Sequence, residues 1–337
     1  MEYRPLGRTG VRVSPLCLGT MMLGPWGNDD EQDAVRIVHA ALDAGINFVD
    51  TADIYSDGRS EEIVGAALKG RRDDVVLATK FFNPMGEDPN SRGGSRRWIM
   101  RAVEDSLRRL GTDYIDLFQV HRPSPDTDIA ETLGALSDLV HQGKVRLIGS
   151  SSFAASGIVE AQAVSRERGL ERFTTEQPPY SLLVRGIEAD VLPTAGRHGM
   201  GVITYSPLCA GWLSGKWGGG TAPTSRSRAA NRFDMSVPAN QRKLEAVDRL
   251  QQVADDAGLT MPELAVAFVL RHPAVTSAIV GPRTMAHLET ALPALDVHLS
   301  DETLDLIDEI VAPGVTLNPD DDSYGEAELT RTARRRP

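Results

Sequence analysis

Short runs rich in β-branched and other apolar residues alternate along this chain with segments whose apolar residues recur every three to four positions, and the same order repeats throughout. Such a pattern reads as successive strand–helix units, whose strands pair in parallel because a crossover helix separates each from the next. Eight strands are expected: Leu16–Gly19, Asn47–Asp50, Val75–Lys80, Ile115–Val120, Val145–Ser150, Thr174–Gln177, Gly201–Tyr205 and Ser277–Val280. Between them lie apolar stripes at Val35, Val38 and Leu42, at Ile99, Val103, Leu107 and Leu110, and at Ile129, Leu133, Leu136 and Val140, each suited to pack on the outside of the sheet. Ser60 before Glu61 and Glu62, and Ser300 before Asp301 and Glu302, have the form of helix N-caps followed by acids at the positive end of the helix dipole.

Two features fall outside the repeating units. Tyr3-Arg4-Pro5 and Val11-Arg12-Val13, joined by a turn at Gly7-Arg8-Thr9-Gly10, read as a hairpin expected to plug the bottom of a barrel, and an extra helix is expected around Leu304 to Val311. The stretch from Tyr205 to about Pro238, rich in Gly, Ser and Trp, is longer than an ordinary connection, which in compact domains marks function or disorder. No linker divides the 337 residues, so one domain spanning 1–337 is expected, with about 325–337 as a flexible tail.

The formal charge of −11 argues against a nucleic-acid binder or a protein lying on anionic lipid, since both need a basic surface. The longest apolar run, Leu264 to Leu270, is too short to span a bilayer, and no apolar core follows Arg4, Arg8 and Arg12, so a non-exported protein is expected. Cys17 and Cys209 show no CxxC spacing and fit a reducing cytoplasm. The seven histidines include no pair at metal-ligand spacing on one helix, and no metal is implied. Gly19-Thr20-Met21-Met22-Leu23-Gly24 has the wrong spacing for a Rossmann fingerprint, no Tyr precedes a Lys by four residues, and Gly211 to Trp217 is one residue short of a phosphate loop.

The chemistry concentrates at strand ends. Asp50, Lys80 and His121 each close an apolar strand, and Tyr55 lies just beyond Asp50. In a parallel strand–helix barrel those ends meet at one mouth, where an acid, a cation, an imidazole and a phenol make a proton-transfer site. A tyrosine with its reference pKa of about 10 is a poor donor at neutral pH unless a cation stabilises the phenolate it leaves. Lys80 can be that cation: at ~4 Å and an effective dielectric near ~20 the gross attraction is about 4 kcal/mol, enough before desolvation to lower the phenol pKa by up to roughly three units. Asp50 would hold Lys80 charged and in place, and His121 would add a second donor at the oxygen of a substrate carbonyl. The implied reaction is reduction of a carbonyl by hydride. Trp26, Trp212 and Trp217 lie in loops expected at the mouth and are candidates to line a pocket.

The segments Gly45-Ile46-Asn47-Phe48-Val49-Asp50-Thr51-Ala52-Asp53-Ile54-Tyr55, Thr79-Lys80 and Asp113-Tyr114-Ile115-Asp116-Leu117-Phe118-Gln119-Val120-His121 resemble those of the aldo-keto reductase superfamily, and the resemblance runs from Tyr3-Arg4-Pro5-Leu6-Gly7 to Gly281-Pro282-Arg283. It implies a (β/α)8 TIM barrel that binds NADP(H) extended, without a Rossmann domain, and reduces an aldehyde or ketone to an alcohol. By resemblance Tyr55 is the general acid, Lys80 and Asp50 tune it, and His121 orients the carbonyl. Ser151 and Gln177 would hold the nicotinamide carboxamide, and Tyr205 would stack on its ring. Ser206, Leu208, Gly211, Leu213 and Lys216 would line the pyrophosphate, and Arg283 would pair with the 2′-phosphate. Gly19, Thr20, Asp50, Ser152, Gly281 and His287 complete the cofactor set that the resemblance implies.

Three departures stand out: Ser152 where many relatives carry Asn, His287 where Gln is common, and Ala291 where Asn often contacts adenine. The stretch Tyr3 to Ser14 also looks like the start of the voltage-gated potassium channel β-subunits, so a cofactor-sensing regulatory subunit with little turnover is the alternative reading. Substrate choice among small aldehydes, sugars, quinones and macrolide-type carbonyls, and the oligomeric state, stay open.

Overall fold

Strands buried on both faces suit the inside of an α/β layer, and eight largely buried strands, apolar for the most part but with Thr175-Glu176-Gln177 among them, form the wall of this molecule. The structure is a computed structural model, and residues 1–217 and 230–324 are described. The expected tail at 325–337 lies outside the described residues. A short antiparallel hairpin comes first, β1 (Arg4–Pro5) with β2 (Arg12–Val13). The wall follows as β3 (Leu16–Gly19), β4 (Phe48–Asp50), β5 (Val76–Phe81), β6 (Ile115–Val120), β7 (Val145–Ser151), β8 (Thr175–Gln177), β9 (Gly201–Thr204) and β10 (Ser277–Val280). These strands pair in parallel in chain order, and β10 closes on β3, giving a (β/α)8 barrel.

The helices that cover the wall are α1 (Glu31–Asp43), α2 (Arg59–Ala67), α3 (Arg96–Leu110), α4 (Ile129–His141), α5 (Ala155–Arg168), α6 (Val191–His198), α7 (Pro238–Asp256), α8 (Met261–Arg271), α9 (Met285–Ala291) and α10 (Asp301–Ile310). The apolar stripe expected on α3 is buried throughout, and Gly111 ends that helix at φ 62°. On α1 the packing face differs from expectation. Ala34, Ile37, Val38 and Ala41 are buried there, while Val35 and Leu42 sit at its margins, because small alanines allow the helix to approach the sheet closely. Ser300 caps α10 by accepting from the Thr303 backbone N–H, as expected.

Ser60 does not cap α2. The helix starts at Arg59 after Gly58, whose φ is 92°, and the Ser60 hydroxyl turns inward to donate to the Thr20 carbonyl at 2.8 Å. The left-handed turn before the helix sets its entry angle and leaves this side chain facing the core.

Inside the barrel, Cys17, Phe48, Ala78, Leu117, Ile203 and Ile279 pack in one cluster with Leu6 and Val13 of the hairpin. The hairpin thus seals the amino-terminal end of the strands, as expected of a plug. Register then decides what fills the other end. Asp50 pairs with Ala78 and Lys80 with Gln119, so one step beyond the apolar layer of Phe48, Ala78 and Leu117 the inward positions are Asp50, Lys80 and Gln119. Gly19 faces this layer at a tight crossing, where a Cβ would lie 2.5 Å from Ile279 Cγ2. Cys17 and Cys209 are buried and free. Among the described residues no helix is long and apolar enough to cross a membrane.

Candidate active site

The period-2 alternation of β4 and β5 delivers a carboxylate and an ammonium to the same side of the barrel wall, and they meet. Lys80 Nζ lies 2.5 Å from Asp50 Oδ1 and 2.8 Å from the Thr51 carbonyl, with Lys80 fully buried and Asp50 2% exposed. Two amides, from β6 and β8, satisfy the other carboxylate oxygen: Gln119 Nε2 and Gln177 Nε2 reach Asp50 Oδ2 at 3.1 and 3.0 Å. A buried ion pair of this kind contributes little net stability, since desolvation offsets the attraction, but it holds a charge in one place.

The third donor position of Lys80 points to Tyr55, whose hydroxyl is 3.3 Å away. Tyr55 is held there by unusual backbone. Ser56, Asp57 and Gly58 follow at φ 49°, 55° and 92°, three left-handed residues in succession, two of them not glycine. Strain of about 1–3 kcal/mol per such residue persists only where surrounding contacts enforce it, and here the Ser56 hydroxyl accepts the Trp26 backbone N–H at 3.2 Å. His121, from the end of β6, faces Tyr55 edge to face with ring centroids 5.9 Å apart. The tetrad of Asp50, Tyr55, Lys80 and His121 is therefore one constellation.

Its electrostatics differ from the simple expectation. Burial pushes the Tyr55 phenol above its ordinary pKa, and the nearby Lys80 charge only partly reverses this while Asp50 adds to it. Lys80 is raised: burial disfavours its charge, but Asp50 and Tyr55 outweigh that. Burial, together with the positive charges of Lys80 and Arg122, holds His121 well below the usual imidazole range. At neutral pH the mouth thus presents a protonated phenol, an ammonium and a neutral imidazole.

The residues expected around a cofactor arrange along the same rim. Ser151 Oγ donates to the Gln177 carbonyl at 2.9 Å, and Ser152, at φ 58°, takes Arg122 Nη1 at 2.6 Å and lies 3.1 Å from the Tyr205 hydroxyl. The left-handed conformation at Ser152 is one that Asn adopts more readily than most residues. Tyr205 also donates to Ser323 Oγ at 2.5 Å, which anchors the segment after α10 across this side of the mouth. Beyond Tyr205, Ser206, Cys209 and Ala210 take φ 57°, 47° and 54°, so the chain at Leu208 to Gly211 passes from right-handed to left-handed backbone. Leu213 is fully buried, and Lys216 is exposed. Gly281, Arg283 and His287 follow β10 and are exposed; burial and then the positive charges of Lys216 and Arg283 lower the His287 pKa. Thr20 is fully buried and its hydroxyl donates to the Asp50 carbonyl at 3.2 Å.

The tryptophans divide. Trp26 stands beside Tyr55 at 6.3 Å between ring centroids, within the mouth. Trp212, a candidate pocket residue, is instead fully buried, stacked on Phe233 at 5.4 Å with Lys243 Nζ 4.3 Å from its ring centroid. Trp217 donates to the Gly211 carbonyl at 2.8 Å and packs on its own loop. Sequence reasoning missed Gln119, Asn83 and Arg122. Gln119 carried a readable signal, being an amide two positions before His121 among Leu117, Phe118 and Val120; Asn83 and Arg122 lie in loops whose course no local pattern announces.

The family model of the aldo/keto reductase family matches residues 15–312. The chain is 42% identical over 322 residues to the uncharacterized oxidoreductase YrpG of Bacillus subtilis, across 92% of this chain and 96% of that protein. It is 35% identical over 320 residues to a probable voltage-gated potassium channel subunit beta of Oryza sativa, across 92% of this chain and 97% of that protein. Versiconal hemiacetal acetate reductase of Aspergillus parasiticus is 35% identical over 342 residues, across 93% of this chain and 98% of that protein. This chain belongs to the aldo/keto reductase family, whose members are oxidoreductases that generally use NAD(P)H.

Proposed function

We propose that this protein is an NADPH-dependent reductase that converts an aldehyde or ketone to an alcohol, acting in the cytoplasm. The observation that carries the reading is the buried ammonium of Lys80, which touches both Asp50 at 2.5 Å and the Tyr55 hydroxyl at 3.3 Å at the open end of the barrel. A bound nicotinamide would supply hydride to the carbonyl carbon. Tyr55, protonated at neutral pH, gives its proton to the carbonyl oxygen as negative charge gathers there, and Lys80 stabilises the phenolate left behind. His121 hydrogen-bonds the same oxygen and sets the orientation of the carbonyl. Asp50 keeps Lys80 charged, and Gln119 and Gln177 keep Asp50 from turning elsewhere.

The residues present fit the cofactor. The handed switch of backbone at Leu208 to Gly211 forms a concavity of the kind that receives anionic oxygens. Lys216 and Arg283 bring positive charge close to His287, whose imidazole burial and these charges hold neutral, on a protein whose formal charge is −11. Arg283 would take the 2′-phosphate, and Ser151, Ser152, Gln177 and Tyr205 would surround the nicotinamide. Gly19, Thr20 and Gly281 would complete the surroundings of the cofactor. Arg283→Ala is expected to weaken NADPH by about 10- to 100-fold, the worth of one charge-assisted contact, and to leave NADH nearly unchanged. Equal loss for both, measured by fluorescence titration, removes the 2′-phosphate assignment. Tight NADPH binding with no turnover on any carbonyl would favour a regulatory role of the kind that the channel-subunit relatives' names indicate for those proteins.

A further inference from the structure

β5, the strand that carries Lys80, ends at Phe81, and the next residue adopts a conformation that bulky side chains rarely take: Phe82 has φ 142°. The Gly93 backbone N–H donates to the Phe82 carbonyl at 2.7 Å and holds the turn. Strained backbone of this kind clusters at functional sites. What the turn places is Asn83, whose Nδ2 lies 3.1 Å from Nδ1 of His121.

With its amide nitrogen turned to the ring, Asn83 donates and does not accept, and the ring nitrogen it faces offers a lone pair. A neutral imidazole carries one proton, which then resides on Nε2. The charged groups that face the ring agree with this arrangement. Lys80 and Arg122 are cations and provide no acceptor for an Nδ1 proton, Arg122 donates to the His121 carbonyl at 3.1 Å, and Tyr55 presents its ring at 5.9 Å.

We infer that Asn83 is a positioning residue that fixes His121 as the Nε2–H tautomer, so that the imidazole turns a donor rather than a lone pair toward the substrate oxygen. The consequence for catalysis rests on the reading given above, whereas the tautomer itself does not depend on turnover. In the opposite tautomer the Nε2 lone pair would face an oxygen gaining negative charge, and the second donor of the site would become a repulsive group.

The test is long-range proton–nitrogen correlation on the full-length protein with 15N-labelled histidine at neutral pH, with and without NADPH, the His121 signals being assigned by their loss in His121→Gln. The expected wild-type pattern is a protonated, pyrrole-like Nε2 and a pyridine-like Nδ1. In Asn83→Asp a carboxylate accepts instead of donating, and the pattern reverses to Nδ1–H. In Asn83→Ala the two tautomers mix. Carbonyl reduction falls by about 10²-fold in Asn83→Asp, the scale of one lost oxyanion donor, and less in Asn83→Ala, with NADPH affinity unchanged. A wild-type Nδ1–H pattern, or an Nε2–H pattern that survives in both variants, overturns the inference. Wild-type protein with the expected tautomer but no turnover would sink the reductase reading and leave the role of Asn83 standing.

Discussion

Replacing Lys80 by methionine removes the cation while keeping most of the apolar stem of the side chain. Lys80 Nζ stands 3.3 Å from the Tyr55 hydroxyl. A full phenolate charge at that distance is attracted by about 5 kcal/mol at an effective dielectric near ~20. If the phenol has released half of its proton at the transition state, about 2.5 kcal/mol of this applies, a factor of roughly 70 in rate. Asp50, left with Gln119 and Gln177 as its partners, then opposes the same charge, so the expected loss in kcat is about 10²- to 10³-fold. The variant is also less stable, because removing one member of a buried pair costs about 3–5 kcal/mol. Lys80→Met/Asp50→Asn separates the two effects. The double variant regains melting temperature without regaining rate. Carbonyl-dependent loss of NADPH absorbance gives kcat, and thermal melts and NADPH titration run in parallel confirm the fold. A folded Lys80→Met enzyme within a few-fold of wild-type kcat, or a double variant whose rate recovers with its stability, would refute the reasoning.

Burial, with Glu61 nearby, raises the pKa of Asp53 to about 8, outweighing the Ile54 backbone N–H that favours its charged form. The folded protein therefore keeps a proton that the unfolded chain, with a reference pKa of about 3.9, releases. The stability linked to this group is present below about pH 4 and is lost as pH rises through about 8, so Asp53→Asn should raise the melting temperature at the upper end of that range and not at the lower. A difference between variant and wild type that ignores pH would count against this assignment. Trp212→Ala should cost about 3–5 kcal/mol by emptying a core site. Trp26→Ala should leave the melting temperature nearly unchanged and alter KM for bulky carbonyls; the reverse pattern would show that the pocket has been assigned to the wrong tryptophan.

Strand positions and the tetrad were legible because each depends on local pattern alone. An apolar run bounded by polar residues marks a barrel strand, and the residue that ends it is delivered to the mouth whatever the loops do. The plug was legible for the same reason, since Leu6 and Val13 flank a turn and alternate with exposed residues. Ser60 misled because its cap signal, a serine before two glutamates, ignores the left-handed turn at Ser56 to Gly58 that changes which side chain faces the helix end. Lys80 does pull the phenol pKa down, as expected, but sequence does not contain the size of the opposing desolvation of a buried ring, which leaves the pKa raised on balance with the charge 3.3 Å away. Partners that reach in from other elements were out of view. Asn83 depends on strained backbone at Phe82, Gln177 crosses the barrel to Asp50, and Ser323 arrives from beyond α10 to meet Tyr205.

The central claim is that Tyr55 supplies the proton in an NADPH-dependent carbonyl reduction. Following NADPH absorbance over a panel from nitrobenzaldehyde and methylglyoxal to sugar and macrolide aldehydes, in wild type and Tyr55→Phe, tests it most directly. The account predicts carbonyl-dependent oxidation by the wild type and background rates in the variant, with NADPH bound equally well by both. Turnover by Tyr55→Phe at the wild-type rate, or loss of NADPH binding in place of chemistry, would contradict it.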